Sequence, residues 1–326
     1  FTLDDLEVQD PDPDKLMPFL AKMEFRTLTR RIADKLGVEP LAIPEPEVAD
    51  APEGDAPDAP DIDPEKYEWV KDMKALDRWI ALIRDHGYVA VDTETTSLDA
   101  MRAELVGISL ALGPNDACYI PLGHGGSDMF AERPAQVDKA AALAALAPML
   151  ASDAVTKVFH NGKYDLNVLA RNGVVVAPVD DTMIISFDLD AGRQLDGIGG
   201  GHGMDELAER HLGHTCLTFK ELCGTGKKAI PFGEVPLDKA TEYAAEDADV
   251  TWRLYKMLKP RLATEGGTRI YERVDRPLVP VVAQMERHGI KVDRTRLAKL
   301  SEEFATETAR LEKEIHRIAG TEFTVG

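Results

Sequence analysis

Gly87-Tyr88-Val89-Ala90-Val91-Asp92-Thr93-Glu94-Thr95-Thr96-Ser97-Leu98 is the stretch on which the reading of this chain turns. It opens as an apolar run with β-branched and aromatic members behind a glycine, the pattern of a buried strand. Two carboxylates, Asp92 and Glu94, arrive at its end. Side chains alternate faces along a strand, so residues two apart point the same way, and both acids project into one small volume if the strand persists that far. Like charges so close repel, and burial raises the cost. A hard divalent ion such as Mg²⁺ or Mn²⁺ between them removes that cost. A surface turn, where each acid simply meets water, is the other reading the stretch allows.

Around this stretch, 326 residues are enough for about two domains, and a 44% hydrophobic content supports a sizeable core. No apolar run is long enough to span a bilayer, and the N-terminus shows no signal-peptide pattern. Cys118, Cys216 and Cys223 are odd in number and lack CxxC spacing, which points to a reducing, cytoplasmic setting without structural disulfides. The net charge of −20 argues against a broad basic nucleic-acid face. Half of it comes from residues 39–68, where eleven acids face Lys66 alone. Any phosphate contact must therefore come from local groups and bound ions.

Residues 14–36 read as helical, with Phe19, Met23, Phe25, Leu28, Ile32 and Leu36 as an apolar stripe, and residues 1–37 are short for an independent domain. Residues 38–64, rich in Pro, Ala, Glu and Asp, predict an extended, mobile linker. A compact domain is expected from about residue 65 to residue 262. It opens with an amphipathic helix over 67–85 (Trp69, Met73, Leu76, Trp79, Ile80, Ile83). Three strands follow, over 88–92, 104–112 and 117–121, the last two joined as a hairpin through Gly113-Pro114-Asn115-Asp116. Beyond them lie a helix over 139–150, a strand over 156–160, a helix over 164–171, an apolar run over 174–179 and a helix starting after Asp181. A glycine-rich loop over 197–203, a helix over 204–212 and a long helix over 237–262 complete the domain. Strands alternating with helices behind a meander predict an α/β fold with a mixed sheet. Residues 263–326 change character: helical patterns over 270–289 and 294–319 precede strand-like signals at Thr324-Val325-Gly326, as if another domain were opening.

Two further motifs carry chemistry. In Phe159-His160-Asn161-Gly162-Lys163-Tyr164-Asp165 a strand ends and a helix begins, so Asp165 falls in the first helical turn, where the helix dipole favours an acid in any protein. In Tyr243-Ala244-Ala245-Glu246-Asp247-Ala248-Asp249, Tyr243 and Asp247 are four apart and share a helix face, while the alanines leave room for a close neighbour. Glu246 and Asp249 read as an ordinary solvated acidic face. His211, His214 and Cys216 hint at zinc, but no second ligand pair has suitable spacing, so exposed or packing roles are expected. Gly199-Gly200-Gly201 follows no clear strand and so is no dinucleotide fingerprint.

In order along the chain, Asp-x-Glu on a strand, an Asp opening a helix, and Tyr-x-x-x-Asp on a late helix resemble the DEDD superfamily of 3′–5′ exonucleases in its tyrosine variant. Val91-Asp92-Thr93-Glu94-Thr95, Asn161-Gly162-Lys163-Tyr164-Asp165, Met204-Asp205-Glu206-Leu207-Ala208-Glu209-Arg210 and Tyr243-Ala244-Ala245-Glu246-Asp247-Ala248-Asp249-Val250-Thr251 are similar to the proofreading domain of the bacterial family A DNA polymerases, the polymerase I type. The resemblance covers most of residues 67–326. It implies an RNase H-like mixed sheet flanked by helices, residues 1–37 as the tail of a 5′-nuclease domain, residues 38–64 as linker, and 263–326 as the helical start of a polymerase domain leading into the thumb.

The same resemblance implies that Asp92, Glu94, Asp165 and Asp247 hold two divalent ions, Mg²⁺ or Mn²⁺, one polarising the attacking water and the other stabilising the departing 3′-oxyanion. Tyr243 would position that water. Leu98, Asn161, Phe219 and Thr93 would contact the strand, and stacking of this kind tolerates any sequence. The implied partner is a single-stranded DNA 3′ end, cut by a monomeric, cytoplasmic, nucleoid-associated enzyme that is part of a longer polymerase chain and leaves nucleoside 5′-monophosphates. Two departures stand out. His202 is the basic group noted in the loop over 197–203, and His160 has no evident role. Lys220, Lys227 and Lys228 are either DNA contacts or solvated surface. Two other readings stay open: an RNase D-type exoribonuclease, and a catalytically silent scaffold, against which the four intact acids speak.

Overall fold

The computed structural model describes residues 11–23, 25–40, 59–125, 134–190 and 201–325. Contacts divide the chain into two units, 1–58 and 59–326. The first holds two helices. In α1 (Pro13–Lys22) the Asp12 side chain accepts the N–H of Asp14, and α2 (Arg26–Leu36) ends on Gly37 in the left-handed region. Met17, Leu20 and Ala33 form a small core, whereas Phe19, Met23, Phe25 and Leu28 are exposed. The expected single stripe over 14–36 fails because the break between α1 and α2 resets the helical phase. Residues 41–58 of the predicted linker, and 197–200 of the glycine-rich loop, lie outside the described residues.

The second unit is built on a six-stranded mixed sheet in the order β1-β4-β3-β2-β5-β6. Its elements are β1 (Glu68–Trp69), α3 (Met73–His86), β2 (Tyr88–Thr95), β3 (Leu105–Gly113), β4 (Asp116–Pro121), α4 (Lys139–Leu150), β5 (Thr156–Phe159), α5 (Lys163–Arg171), β6 (Val179–Asp181), α6 (Thr182–Asp190), α7 (Met204–Leu212), α8 (Phe219–Cys223) and α9 (Leu237–Thr264), followed by α10 (Thr268–Ile270), α11 (Arg276–His288) and α12 (Arg294–Ala319). β2, β3 and β4 form an antiparallel meander; β5 and β6 continue it in parallel beside β2, and β1 pairs in parallel with β4. The expected α/β mixed sheet is therefore present.

The helix expected over 67–85 starts late. Trp69 lies in β1, and the Asp72 carboxylate caps α3 by accepting the Ala75 N–H at 2.9 Å. The apolar run over 174–179 reaches the sheet only at Val179, and residues 321–325 form no strand. The end of the predicted linker is held fast. Asn115, in the left-handed region at the β3–β4 turn, donates from its amide to the Asp61 carbonyl and accepts the Asp63 N–H, while Arg253 of α9 donates to the Pro60 carbonyl.

Alternation along β2 splits the packing. Val89 and Val91 join Leu76, Ile80 and Ile83 of α3 and Leu146 and Met149 of α4 in the main core. Ala90, on the opposite face, meets Ala245 and Ala248 of α9 together with Ala111 and Ala117. α11 seats Val279 and Ala283 in the main core, and Tyr271 just before it is buried, its hydroxyl donating to Asp180. α12 buries none of its residues.

Gly107 of β3 lies opposite Glu94. A Cβ there would sit 2.0 Å from the hydroxyl oxygen of Tyr119, a fully buried ring whose hydroxyl bonds His124 Nε2 at 2.8 Å. The Gly107→Ala chain is expected to lose about 1–3 kcal/mol of stability through overpacking. Urea unfolding checks this, and an unchanged midpoint would contradict the close approach.

Candidate active site

Three elements bring the predicted acids together. Asp92 and Glu94 leave β2 on the side that faces α9, and Asp247 comes down from α9 to meet them. Carboxylate oxygens of these three all lie within 4.8 Å of one another. Glu94 and Asp247 are buried and Asp92 is partly exposed. The ladder of β2 with β3 shifts register between Glu94 and Thr95, which ends regular pairing at the acids.

Asp165 arrives from the other side. Thr93, which alternation turns away from α9, donates its hydroxyl to Asp165 Oδ1 at 2.5 Å. The start of α5 is fixed by the turn before it. Asn161 adopts a φ of 59°, and a Cβ on Gly162 would lie 2.5 Å from that of Phe159. The Asp181 carboxylate accepts the N–H groups of both residues, at 3.1 and 2.8 Å. Tyr164 donates to the Ser97 carbonyl at 2.5 Å and bonds the Thr95 hydroxyl, tying the segment that carries Leu98 to α5.

Burial sets the electrostatics. Desolvation pushes the Asp92 carboxyl up to about 6. The same cause raises Glu94, Asp165 and Asp247 well above the usual carboxylate range, with Asp92 adding to each and Glu94 adding to Asp247. Glu94 Oε1 is buried without a hydrogen-bond partner. An all-oxygen set with an orphaned carboxylate oxygen and mutual repulsion fits a hard divalent cation. Burial, then Asp247, raises the Tyr243 phenol far above its ordinary value, so it is neutral at physiological pH.

The residues expected along the strand's path differ in exposure. Leu98 is 97% exposed and Phe219 is 50% exposed. Phe219 stacks on buried Phe232 at 6.4 Å between ring centroids, and Tyr243 lies edge-on to Phe219 at 6.5 Å. Asn161 is exposed, whereas Thr93 is buried with its hydroxyl on Asp165. Lys220 and Lys228 are exposed; the Lys227 side chain is outside the described set. His202 Nδ1 bonds Ser186 at 2.9 Å, and burial holds neutral His160, bonded to Thr182, down at about 4.

One expectation is corrected. Glu246 and Asp249 are no solvated face. Glu246 bonds His214 and the Leu217 N–H, and fully buried Asp249 accepts from Tyr67, Asn115 and Arg253. Both point inward because α9 has neighbours on nearly every side, which a period of acids cannot reveal. The expected packing role holds for Cys216, which lies in the core with Leu207, Ala208 and Leu254, and His214 is partly exposed; ligand atoms of both also lie near a Glu246 carboxylate oxygen, while His211 stands apart from them, beside Arg261 and Arg210. Asp181 and Tyr164 were not singled out. In sequence Asp181 marks only the start of a helix, whose first N–H groups it accepts, and Tyr164 lies within the Asn161–Asp165 motif.

Residues 67–263 match the family described as 3′–5′ exonuclease. The chain is similar to DNA polymerase I of Rhizobium leguminosarum, with 41% identity over 99% of this chain and 38% of the relative, and to that of Pseudomonas aeruginosa, with 35% identity over 97% and 34%. It thus spans about a third of the length of these curated relatives. Among solved structures, a nuclease in its apo form shares 25% identity and a TM-score of 0.51, covering 70% of this chain and 96% of that one. The polymerase domain of Pol1 from M. smegmatis with DNA primer-template and dNTP shares the fold, with a TM-score of 0.57 at 21% identity over 77% of this chain and 37% of that one.

Because the folded Asp92 carboxyl titrates near 6 rather than 3.8, the folded chain binds more protons between those values. The stability of its neutral form is present at low pH and lost as pH rises through about 6. In EDTA, Asp92→Asn is expected to be more stable than wild type at pH 8, by on the order of 1 kcal/mol for a partly solvated group, and no more stable at pH 4. Thermal melts at both pH values check this.

Proposed function

The chain belongs to the 3′–5′ exonuclease family of bacterial DNA polymerase I, and from that membership we propose that it removes nucleotides from the 3′ end of single-stranded or frayed DNA, leaving nucleoside 5′-monophosphates. The observation that carries the proposal is the convergence of Asp92, Glu94 and Asp247 within 4.8 Å, with Asp165 held beside them through Thr93. These four would hold divalent ions, Mg²⁺ or Mn²⁺, whose charge activates water and stabilises the departing 3′-oxygen.

The chain's own groups do the rest. Tyr243, a neutral phenol, orients the attacking water by hydrogen bonding and is no base. Thr93 and Asp181 act as positioning residues, the first through the Asp165 carboxylate and the second through the turn that starts α5. Phe219, braced on Phe232, offers an exposed ring for a terminal base, and exposed Leu98 wedges against base or sugar. Asn161, exposed between β5 and α5, contacts the strand. Backbone contact relies on bound ions and on Lys220 and Lys228.

In this reading residues 1–37 are the tail of a 5′-nuclease domain, 38–64 a linker, 65–262 the exonuclease and 263–326 the start of a polymerase domain. The protein acts as a monomer in the cytoplasm at the nucleoid.

A 5′-labelled single-stranded DNA should be shortened stepwise in Mg²⁺ and left intact in EDTA. Asp247→Ala should lower the rate about a hundredfold or more. Faster cleavage of a matched RNA would overturn the DNA assignment, and unchanged cleavage in EDTA would overturn the metal. Tyr243→Phe should lower kcat about tenfold to a hundredfold with KM little changed, whereas equal loss in both would contradict its role in placing water.

A further inference from the structure

A second group of ligand atoms lies outside the catalytic cluster. α7 ends on Gly213 in the left-handed region, and the chain then crosses to α8 through the irregular segment 213–218. His214 and Cys216, two apart in that segment, meet Glu246 of α9. The imidazole nitrogen, the sulfur and a carboxylate oxygen all lie within 4.8 Å of one another. Cys216 and Glu246 are buried, and His214 is a quarter exposed. Glu246 Oε1 is 2.9 Å from His214 Nε2, and its Oε2 accepts the Leu217 N–H at 2.8 Å. That second bond fixes the carboxylate's orientation, as partners behind a ligand do in metal sites. A His–Glu hydrogen bond accounts for two members of the group, and Cys216 packs against Leu207 and Ala208 in the core while its sulfur lies within reach of both.

We propose that His214, Cys216 and Glu246 form a second metal site, selective for a zinc-type divalent ion and separate from the oxygen-only cluster of Asp92, Glu94 and Asp247. Nitrogen, sulfur and oxygen together suit borderline-soft zinc and disfavour Mg²⁺, which avoids thiolate. Three protein ligands leave one position for water, on the exposed side of His214. Binding releases the Cys216 thiol proton to solvent, and the His214 proton moves to Nδ1 so that Nε2 can coordinate. Burial, with Glu246 alongside, raises the Cys216 thiol well above its ordinary value, so the metal-free sulfur is a protonated, unreactive group. The ion would clamp segment 213–218 to α9 at the residue before Asp247, and would anchor the start of α8, which carries Phe219.

The test is titration of the metal-stripped full chain with Co²⁺ in excess Mg²⁺. A near-ultraviolet sulfur-to-cobalt band should grow and saturate at a single ion per chain. Carboxylates alone cannot produce that band, so Asp92→Ala should retain it whether or not the catalytic reading holds. Cys216→Ser should abolish the band, Cys118→Ser and Cys223→Ser should keep it, and Glu246→Gln should weaken binding about 10–100-fold. Zn²⁺ should displace the cobalt and raise the thermal midpoint of wild type but not of Cys216→Ser. Absence of the band in folded wild type, or its persistence in Cys216→Ser, would overturn the site.

Discussion

The contact on which the rest depends is a seam of alanines. Ala245 and Ala248 of α9 lie against Ala90, Ala111 and Ala117 of the sheet. Small side chains on both surfaces let a long helix come close to the strands, and interiors packed at crystal-like density transmit that spacing to every neighbour. Asp247, between Ala245 and Ala248 in sequence, is thereby delivered to Asp92 and Glu94. A larger residue at any seam position would lift α9 and separate the acids. The same approach is what makes the acids costly, since it desolvates them and aligns their charges.

Polar contacts hold α9 in that position against the repulsion. Asp249, directly after seam residue Ala248, accepts from Tyr67, from the Asn115 N–H and from Arg253, and Arg253 reaches on to the Pro60 carbonyl. Farther along, Tyr255 and Lys259 donate to Asp180, which also accepts from Tyr271 ahead of α11. Removing one partner from a buried ionic group costs more than the group gains when complete, so these networks fix geometry more than they add net stability. Asp180 is followed by Asp181, whose carboxylate sets the turn into α5. α11 and the turn before it are therefore joined by hydrogen bonds to the strand that orients Asp165.

Much of the fold was legible from pattern. The meander from β2 to β4, α4 and α7 follow from alternation, turn residues and caps, all local signals. The failures share one cause. The stripe over 14–36 broke where a turn interrupted its period. Trp69 went to a strand because its partner is β4, distant in sequence. Glu246 and Asp249 read as solvated because an acid's polarity outweighs its position when the neighbours are unknown.

The sequence by itself determined which acids matter and on what kind of element each sits: strand alternation joins Asp92 to Glu94, and helical spacing joins Tyr243 to Asp247. Only tertiary structure decided that these pairs share one volume, that Thr93 grips Asp165, and that Phe219 leans on Phe232. The physical reason is range. Periodicity reports which face of its own element a side chain occupies, whereas the approach of two elements depends on the size and burial of residues far apart in the chain.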